Sequence, residues 1–271
     1  NLYRLELGTG SRATSIGAAA ASGGEGATSR ETVRAELDVT PVTVMNPAAD
    51  TDFWFWQYLA PGVSADFPIT LAAPVTSGQV QLTIELHGAT TRAAAGEHAA
   101  TLLLNGEPAG TLSFEGIARR TLTVDVDASA LVDGVNTLRI TGAGAAHSIV
   151  WVDAVSATYT RELVAAGDSV GFSASQAGPV VVEGLGDGAV RVVNVSNPHA
   201  PVLLTGLATS DDGGSRSVRL AAAAGARYIA VTDAGGLTGI VNHVVSVTDA
   251  APPIAFVGAA VGVSTTAKVA V

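Results

Sequence analysis

Apolar and polar residues alternate along most of this chain in short runs, the period-two pattern of half-buried β-strands. Residues 2–7 alternate in this way, and from Glu31 the pattern returns with Val33, Ala35, Leu37 and Val39 on one side and Arg34, Glu36 and Asp38 on the other. Between them, residues 8–30 form a Gly/Ala/Ser/Thr tract with too few large apolar groups to bury itself, which predicts a long mobile loop. Further strands are predicted at 67–71, 80–86, 99–104, 110–114, 120–126, 137–141 and 149–159. Their turn-bounded spacing is that of a β-sandwich. Asn105-Gly106 is the strongest hairpin signal, because both residues tolerate the positive φ of a tight turn, and Asp133-Gly134 is a second. A second series follows at 169–173, 179–183, 190–195, 202–206, 215–220, 227–232 and 241–248, a module of immunoglobulin-like size.

The expected architecture is therefore all-β, a jelly-roll (galactose-binding-like) β-sandwich over 1–160 followed by an immunoglobulin-like β-sandwich over 161–250. Residues 251–271, interrupted at the outset by Pro252-Pro253, read as an apolar tail or a linker to a following domain. The chain opens inside an apparent strand and not on Met, as a fragment or a processed product would. Gly 31 and Pro 11 punctuate a composition that is 48% hydrophobic, as short strands with many turns require.

Charge narrows the range of partners. Net charge is −10 with 14 Lys plus Arg and no basic cluster able to neutralise successive phosphates, so nucleic acid is not expected as a partner. No apolar run approaches the roughly 18 residues that a membrane-spanning helix needs. With no cysteine, the chain holds no disulfide, thiolate metal site or cysteine nucleophile. Few lysines and much Ala, Gly, Thr and Val suit a bacterial protein that is secreted or held at the cell surface.

The densest aromatic segment is Asp52-Phe53-Trp54-Phe55-Trp56-Gln57-Tyr58-Leu59. As one continuous strand it would send Phe53 and Phe55 to one face and Trp54 and Trp56 to the other. Two roles compete for it. In a core, Trp54 and Trp56 close the sandwich and meet Trp151 from the last strand; on a lectin-like platform, they stack on a sugar whose hydroxyls are bonded by His87, Arg92, Glu97 or His98. The core role is preferred, because large aromatics dominate burial in β-sandwiches.

The remaining candidate chemistry is sparse. The five histidines lack metal-site spacing; His87 and His98 flank the loop 88–97, where a shared metal or sugar contact is the alternative to ordinary loop-edge roles, which are preferred. There is no Gly-x-Ser-x-Gly elbow. Glu36, Asp38, Asp52 and Glu85 contain the makings of a close carboxylate pair, but strand-face and turn roles are the preferred account of them. Asp125 with Asp127, and Asp211 with Asp212, place hard oxygens together in loops and are the candidates for a structural calcium. No enzymatic constellation is expected.

Several of these segments, taken in order, resemble the non-catalytic region that precedes the catalytic domain in secreted gingipain-like (caspase- and clostripain-related) cysteine peptidases of bacteria. They are Asn1-Leu2-Tyr3-Arg4-Leu5, Glu36-Leu37-Asp38, Asp52-Phe53-Trp54-Phe55-Trp56, Leu103-Leu104-Asn105-Gly106, Leu131-Val132-Asp133-Gly134-Val135-Asn136, Trp151-Val152-Asp153 and Val190-Arg191-Val192-Val193-Asn194-Val195. Asn194 stands where an Asp is more usual in the family. The resemblance implies a prodomain or accessory region that binds, chaperones or masks a downstream peptidase domain, with Arg12 and Arg30 facing an Arg-selective protease. Leu-Asn-Gly followed by Leu-x-x-Gly-x-Asn also occurs in carbohydrate-binding jelly rolls. That leaves a glycan-binding module as the alternative, beside a subunit of a surface layer or filament that pairs with identical copies.

Overall fold

The computed structural model describes residues 28–43, 52–91, 96–166 and 168–233, together with strands at 3–6, 14–17 and 246–249. In chain order the strands are β1 Tyr3–Glu6, β2 Thr14–Gly17, β3 Thr28–Glu36, β4 Thr40–Pro41, β5 Trp54–Phe55, β6 Gln57–Leu59 and β7 Ser64–Leu71. Then follow β8 Gln79–Gly88, β9 His98–Leu104, β10 Glu107–Phe114, β11 Arg119–Asp127, β12 Gly134–Gly142 and β13 Val150–Glu162. The rest are β14 Ser169–Ser173, β15 Gly178–Leu185, β16 Val190–Asn194, β17 Val202–Thr205, β18 Ala208–Asp212, β19 Ser215–Ala222, β20 Arg227–Thr232 and β21 Ser246–Asp249.

The chain divides into two compact units, Arg30–Glu162 and the pair Asn1–Ser29 with Leu163–Val271. The first is a jelly-roll sandwich of a four-stranded sheet, β10-β9-β12-β7, and a five-stranded sheet, β11-β8-β13-β3 with β6 also on β13. Its core is filled from both sheets, by Phe67, Ile69 and Leu71 of β7, Leu102 and Leu104 of β9 and Leu138 and Ile140 of β12 on one side, and by Val80, Leu82, Ile84 and Leu86 of β8 with Val152, Val155 and Tyr159 of β13 on the other. Strict alternation along β8 makes this possible and leaves Gln81, Thr83, Glu85 and His87 on the opposite face. The Asn105-Gly106 hairpin forms as expected, with φ of 53° and 92° between the antiparallel β9 and β10.

The second unit is an immunoglobulin-like sandwich of two sheets, β14-β20-β16-β17-β2 and β15-β19-β18. Phe172, Val182, Leu185, Val192, Val218, Leu220 and Tyr228 fill its core. The N-terminal residues depart from the expected division at 160. β2 lies parallel to β17, β1 is antiparallel to β21, and Ser29 donates Oγ to the carbonyl of Ser173 at 2.7 Å, so residues up to Ser29 cluster with the second sandwich. The expected loop at 8–30 thus contains strand at 14–17 and from Thr28, held by backbone pairing that an apolar-periodicity reading does not detect. Its remaining residues, and the tail 251–271, lie outside the described residues.

The aromatic segment is two short strands and not one. β5 pairs with β4, whereas β6 pairs with β13, and the chain bends at Trp56, whose N–H donates to the Val152 carbonyl at 2.9 Å. Changing partner at the bend breaks the alternation. Trp56 turns into the core and meets Phe67 edge-on at 5.0 Å, while Trp54, 37% exposed, stays outside and stacks on Phe53.

Candidate functional site

The outward face of the five-stranded sheet carries a row of charged and aromatic groups under a flap. β8 contributes Glu85 and His87, opposite Thr121 and Arg119 of β11, and β3 contributes Arg34. On β13 the register skips between Val152, opposite Leu86, and Ala154, opposite Glu85, so Asp153 is the extra residue of a β-bulge. Such a bulge re-aims one side chain without disturbing the rest of the strand. The β4–β5 ribbon forms the flap, with Val39 N–H on the Phe55 carbonyl and Val42 N–H on the Phe53 carbonyl. It lays Phe55 against His87 and Trp151, at centroid distances of 6.2 and 5.8 Å, with the Arg119 guanidinium 5.6 Å from the ring centre.

Arg34 grips both oxygens of Glu85, at 3.0 and 3.1 Å, and also bonds Glu36. Arg119 donates to Asp153 Oδ2 at 3.0 Å and to the Asp52 carbonyl, tying the sheet to the base of the flap. Asp153 is almost fully buried, and its other oxygen, Oδ1, has no hydrogen-bond partner among the described residues. Burial pushes its carboxyl above the usual range against the pull of Arg119, and the charges of Asp52 and Glu85 push the same way. His87 is held below its ordinary value by burial, and its Nδ1–H donates to the Gly88 carbonyl at 2.8 Å. Arg34 holds Glu85 below the carboxylate range through its hydrogen bonds. At the rim, Glu36, Asp38 and Asp52 each bring a carboxylate oxygen within 4.8 Å of the others. Trp54, Tyr58, Leu37 and Val39 stand exposed.

The residues singled out from sequence fall into three places. Trp151 packs on Phe55 and on Tyr58, at 5.8 and 5.6 Å, where closure of the core with Trp54 and Trp56 was expected. His87 belongs to the outer face, whereas His98 is wholly buried, stacked at 4.6 Å on Phe114 and bonded to Ser148 Oγ and the Thr90 carbonyl. The two histidines are thus satisfied separately. Asp125 accepts from Gln81, and Asp127 caps the turn Ala128–Ala130 by accepting from Ser129 N–H at 2.8 Å. Asp211 pairs with Arg216. The close acidic group foreshadowed by Glu36, Asp38 and Asp52 does form, and Glu85 joins it through Arg34. Arg30 is exposed at the start of β3; Arg12, Arg92 and the side chain of Asp212 lie outside the described residues.

Sequence reading missed Asp153 and Arg119 as site residues and also a second polar cluster. Buried Glu97 accepts from Gly116 N–H and from His147 Nε2, each at 3.3 Å, beside the His98–Ser148 contact of 2.8 Å. The dipeptides Glu97-His98 and His147-Ser148 were its only signal. Although serine meets imidazole there, both side chains are sealed from solvent and the far nitrogen of His98 faces a backbone carbonyl. That geometry pins loops together and offers no approach to a substrate.

Fold and site together define an all-β protein of two sandwiches with a polar and aromatic sheet face. No family model and no curated protein matches the chain. Among solved structures it resembles dimeric latent PorU from Porphyromonas gingivalis, with a TM-score of 0.60 at 12% identity over 81% of this chain and 22% of that one. It also matches the CBM35 from Cellvibrio japonicus Abf62, with a TM-score of 0.33 at 21% identity over 51% of this chain and 97% of the module. A CBM36-1 domain of a xylanase from the hindgut metagenome of Trinervitermes trinervoides gives a TM-score of 0.31 at 14% identity, over 49% of this chain and 96% of that one. The chain therefore spans about a fifth of the PorU chain, 22%. At this identity the likeness is one of fold. Among the described residues no helix is long and apolar enough to cross a membrane.

Proposed function

We propose that this chain is a non-catalytic accessory region of a secreted gingipain-like cysteine peptidase, which binds the peptidase domain and chaperones or masks it. One observation carries the reading: the likeness to latent PorU covers 81% of the chain, more than either sandwich alone. The ordered motifs, from the aromatic segment to Trp151-Val152-Asp153, point the same way. Exposed Arg30, with Arg12, supplies a basic side chain for an Arg-selective cleft. The test is to read the coding sequence beyond Val271, express any domain with a Cys and His dyad separately, and add the purified chain to it. Stable binding with a fall in peptidase activity is expected, and Arg12→Ala with Arg30→Ala should weaken the inhibition. A stop codon close after Val271, or no binding, overturns the proposal.

Glycan binding is a second reading, favoured by the exposure of Trp54 and Tyr58 on either side of buried Phe55. Aromatic faces of this kind stack on sugar rings. Glycan-array binding lost in Trp54→Ala with unchanged melting would support it; an array without hits removes it.

A further inference from the structure

We propose that His87 is a pH-dependent latch: while neutral it seats Phe55 and the β4–β5 flap on the outward face of the five-stranded sheet, and on taking a proton it lets the flap lift. Three neighbouring strands of that sheet build the seat. Phe55, 1% exposed, meets the His87 ring of β8 edge-on at 6.2 Å and the Trp151 ring of β13 at 5.8 Å, with the Arg119 guanidinium of β11 at 5.6 Å from its centre. β4 and β5 are two-residue strands that, among the described residues, form a sheet of their own. Burial of the Phe55 ring, and not a ladder to the strands below, therefore keeps them down. Arg119 adds one strap, to the Asp52 carbonyl.

The imidazole packed against that ring has little room for a charge. It is 5% exposed, and because Nδ1–H already donates to the Gly88 carbonyl, a second proton must go to Nε2. The charged groups of the face around it are Glu85 on its own strand, Arg119 from β11, Asp153 from β13, Arg34 and Glu36 from β3, and Asp52 at the entry to β5. Arg34 is bonded to Glu85 and Glu36, and Arg119 to Asp153. Burial, and after it Arg119, holds the imidazole below its ordinary value against the opposite pull of the Gly88 carbonyl and Asp153. Lifting the flap uncovers the ring and returns it to about 6.5. A group held below that value in the closed state contributes stability that is complete above it and is lost as pH falls through the closed-state value, so acid opens the flap. Asp153 acts in the other direction, since burial raises its pKa and the closed state holds its proton more tightly, which limits the opening at the acid end. Opening uncovers His87 and the Trp151 ring beneath Phe55, so the polar and aromatic row is presented in mildly acid surroundings and covered at neutral pH. The latch belongs to the chain alone, whether the face meets a peptidase domain or a glycan, and its test needs neither.

The experiment is hydrogen exchange of the whole chain at about pH 7 and about pH 5, read by mass spectrometry and corrected for the intrinsic pH dependence of exchange. Peptides over residues 37–43 and 52–58 cover the flap, where the amides of Val39 and Val42 are bonded to the Phe55 and Phe53 carbonyls. The 37–43 peptide should lose about fivefold in protection on acidification, while a peptide from β12 keeps its own. His87→Gln, neutral at both values, should show no such difference. In parallel the His87 ring protons are titrated by NMR in wild type and in Phe55→Ala. The wild-type ring should titrate below about 6.5 and the variant close to it, because the side chain that buries the imidazole is gone. Protection equal at the two pH values, a loss that persists in His87→Gln or spreads to β12, or a His87 titration unmoved by Phe55→Ala overturns the proposal.

Discussion

The side-chain amide of Asn105 donates to Oδ1 of Asn136 at 2.8 Å, so the hairpin between β9 and β10 is bonded to the start of β12. Asn105 also donates to the Ala130 carbonyl and accepts from Thr137 N–H, both at 2.8 Å. Asn136, almost fully buried, accepts from Val132 N–H and donates to the carbonyls of Val132 and Gly134. The Leu-Asn-Gly and Leu-x-x-Gly-x-Asn segments are therefore two halves of one hydrogen-bonded junction.

Breaking that junction should be costly. Asn136→Ala leaves several backbone groups unpaired, at about 1–3 kcal/mol for each that stays buried, so a fall of that order or more is expected in urea unfolding. Asn136→Asp keeps the acceptor for Val132 N–H but turns an oxygen toward two carbonyls. It should be the worse substitution at neutral pH and recover partly as the carboxyl protonates in acid. A junction indifferent to both changes would show that the hairpin and turn are held by sheet pairing alone.

The two neighbouring tryptophans should separate cleanly. Trp56 packs into the core beside Phe67, and Trp56→Ala should cost about 3 kcal/mol, the low end for an aromatic truncation because the ring is only partly buried. Trp54→Ala should change stability by about 0.5 kcal/mol or less, because that ring is exposed and, among the described residues, stacks on Phe53. Chemical denaturation of the two variants side by side decides this, and equal losses would return Trp54 to the core.

The sandwiches were legible because period-two alternation is a local signal, and β8 keeps it without a break. The tight turn at Asn105-Gly106 was legible for the same reason, since its chemistry lies in two adjacent residues. The site was not. Asp153 reaches its position through a skipped register, and Arg119 and Asp153 are brought together only by the shared neighbour β8. The alternation read across Trp54 and Trp56 failed at a change of sheet partner, which leaves no mark in the residues themselves. The strand at Thr14–Gly17 is held by backbone bonds to β17, so a tract of small residues read as loop.

Tyr159 gives a pH dependence of definite sign. Its hydroxyl donates to the Ala72 carbonyl at 3.1 Å and accepts from Ala72 N–H at 3.0 Å, and burial raises its pKa above the ordinary value. A raised folded pKa means that the folded state holds the proton more tightly. The contribution is complete below the unfolded value of about 10 and is lost as pH rises through the folded value. Tyr159→Phe should cost about 1–3 kcal/mol at pH 7 and should flatten the fall in stability above about pH 10. Melting curves from neutral to alkaline pH, wild type against variant, provide the check, and parallel curves would remove Tyr159 from the alkaline transition.

Two glycines test how closely the strands approach their surroundings. A Cβ on Gly88, at the end of β8, would stand 2.3 Å from the Gly116 carbonyl oxygen and 2.7 Å from His98 Nε2. Neither neighbour can yield easily, because His98 is held at both ring nitrogens by Ser148 and Thr90 and Gly116 donates its N–H to Glu97. Gly88→Ala should therefore destabilise the jelly roll by about 3 kcal/mol or more, at the upper end of overpacking costs. Gly171 in β14 has room, with only the Tyr228 carbonyl oxygen at 3.9 Å from its would-be Cβ. Gly171→Ala should be neutral or stabilise the immunoglobulin-like sandwich by about 0.5 kcal/mol, since alanine loses less backbone freedom in a strand. Because the two positions lie in different units, each variant is compared with wild type on the unfolding transition of its own sandwich. A Gly88→Ala protein as stable as wild type would mean that the loop carrying Gly116 and the start of β9 at His98 give way, and that the buried Glu97 cluster does not hold them.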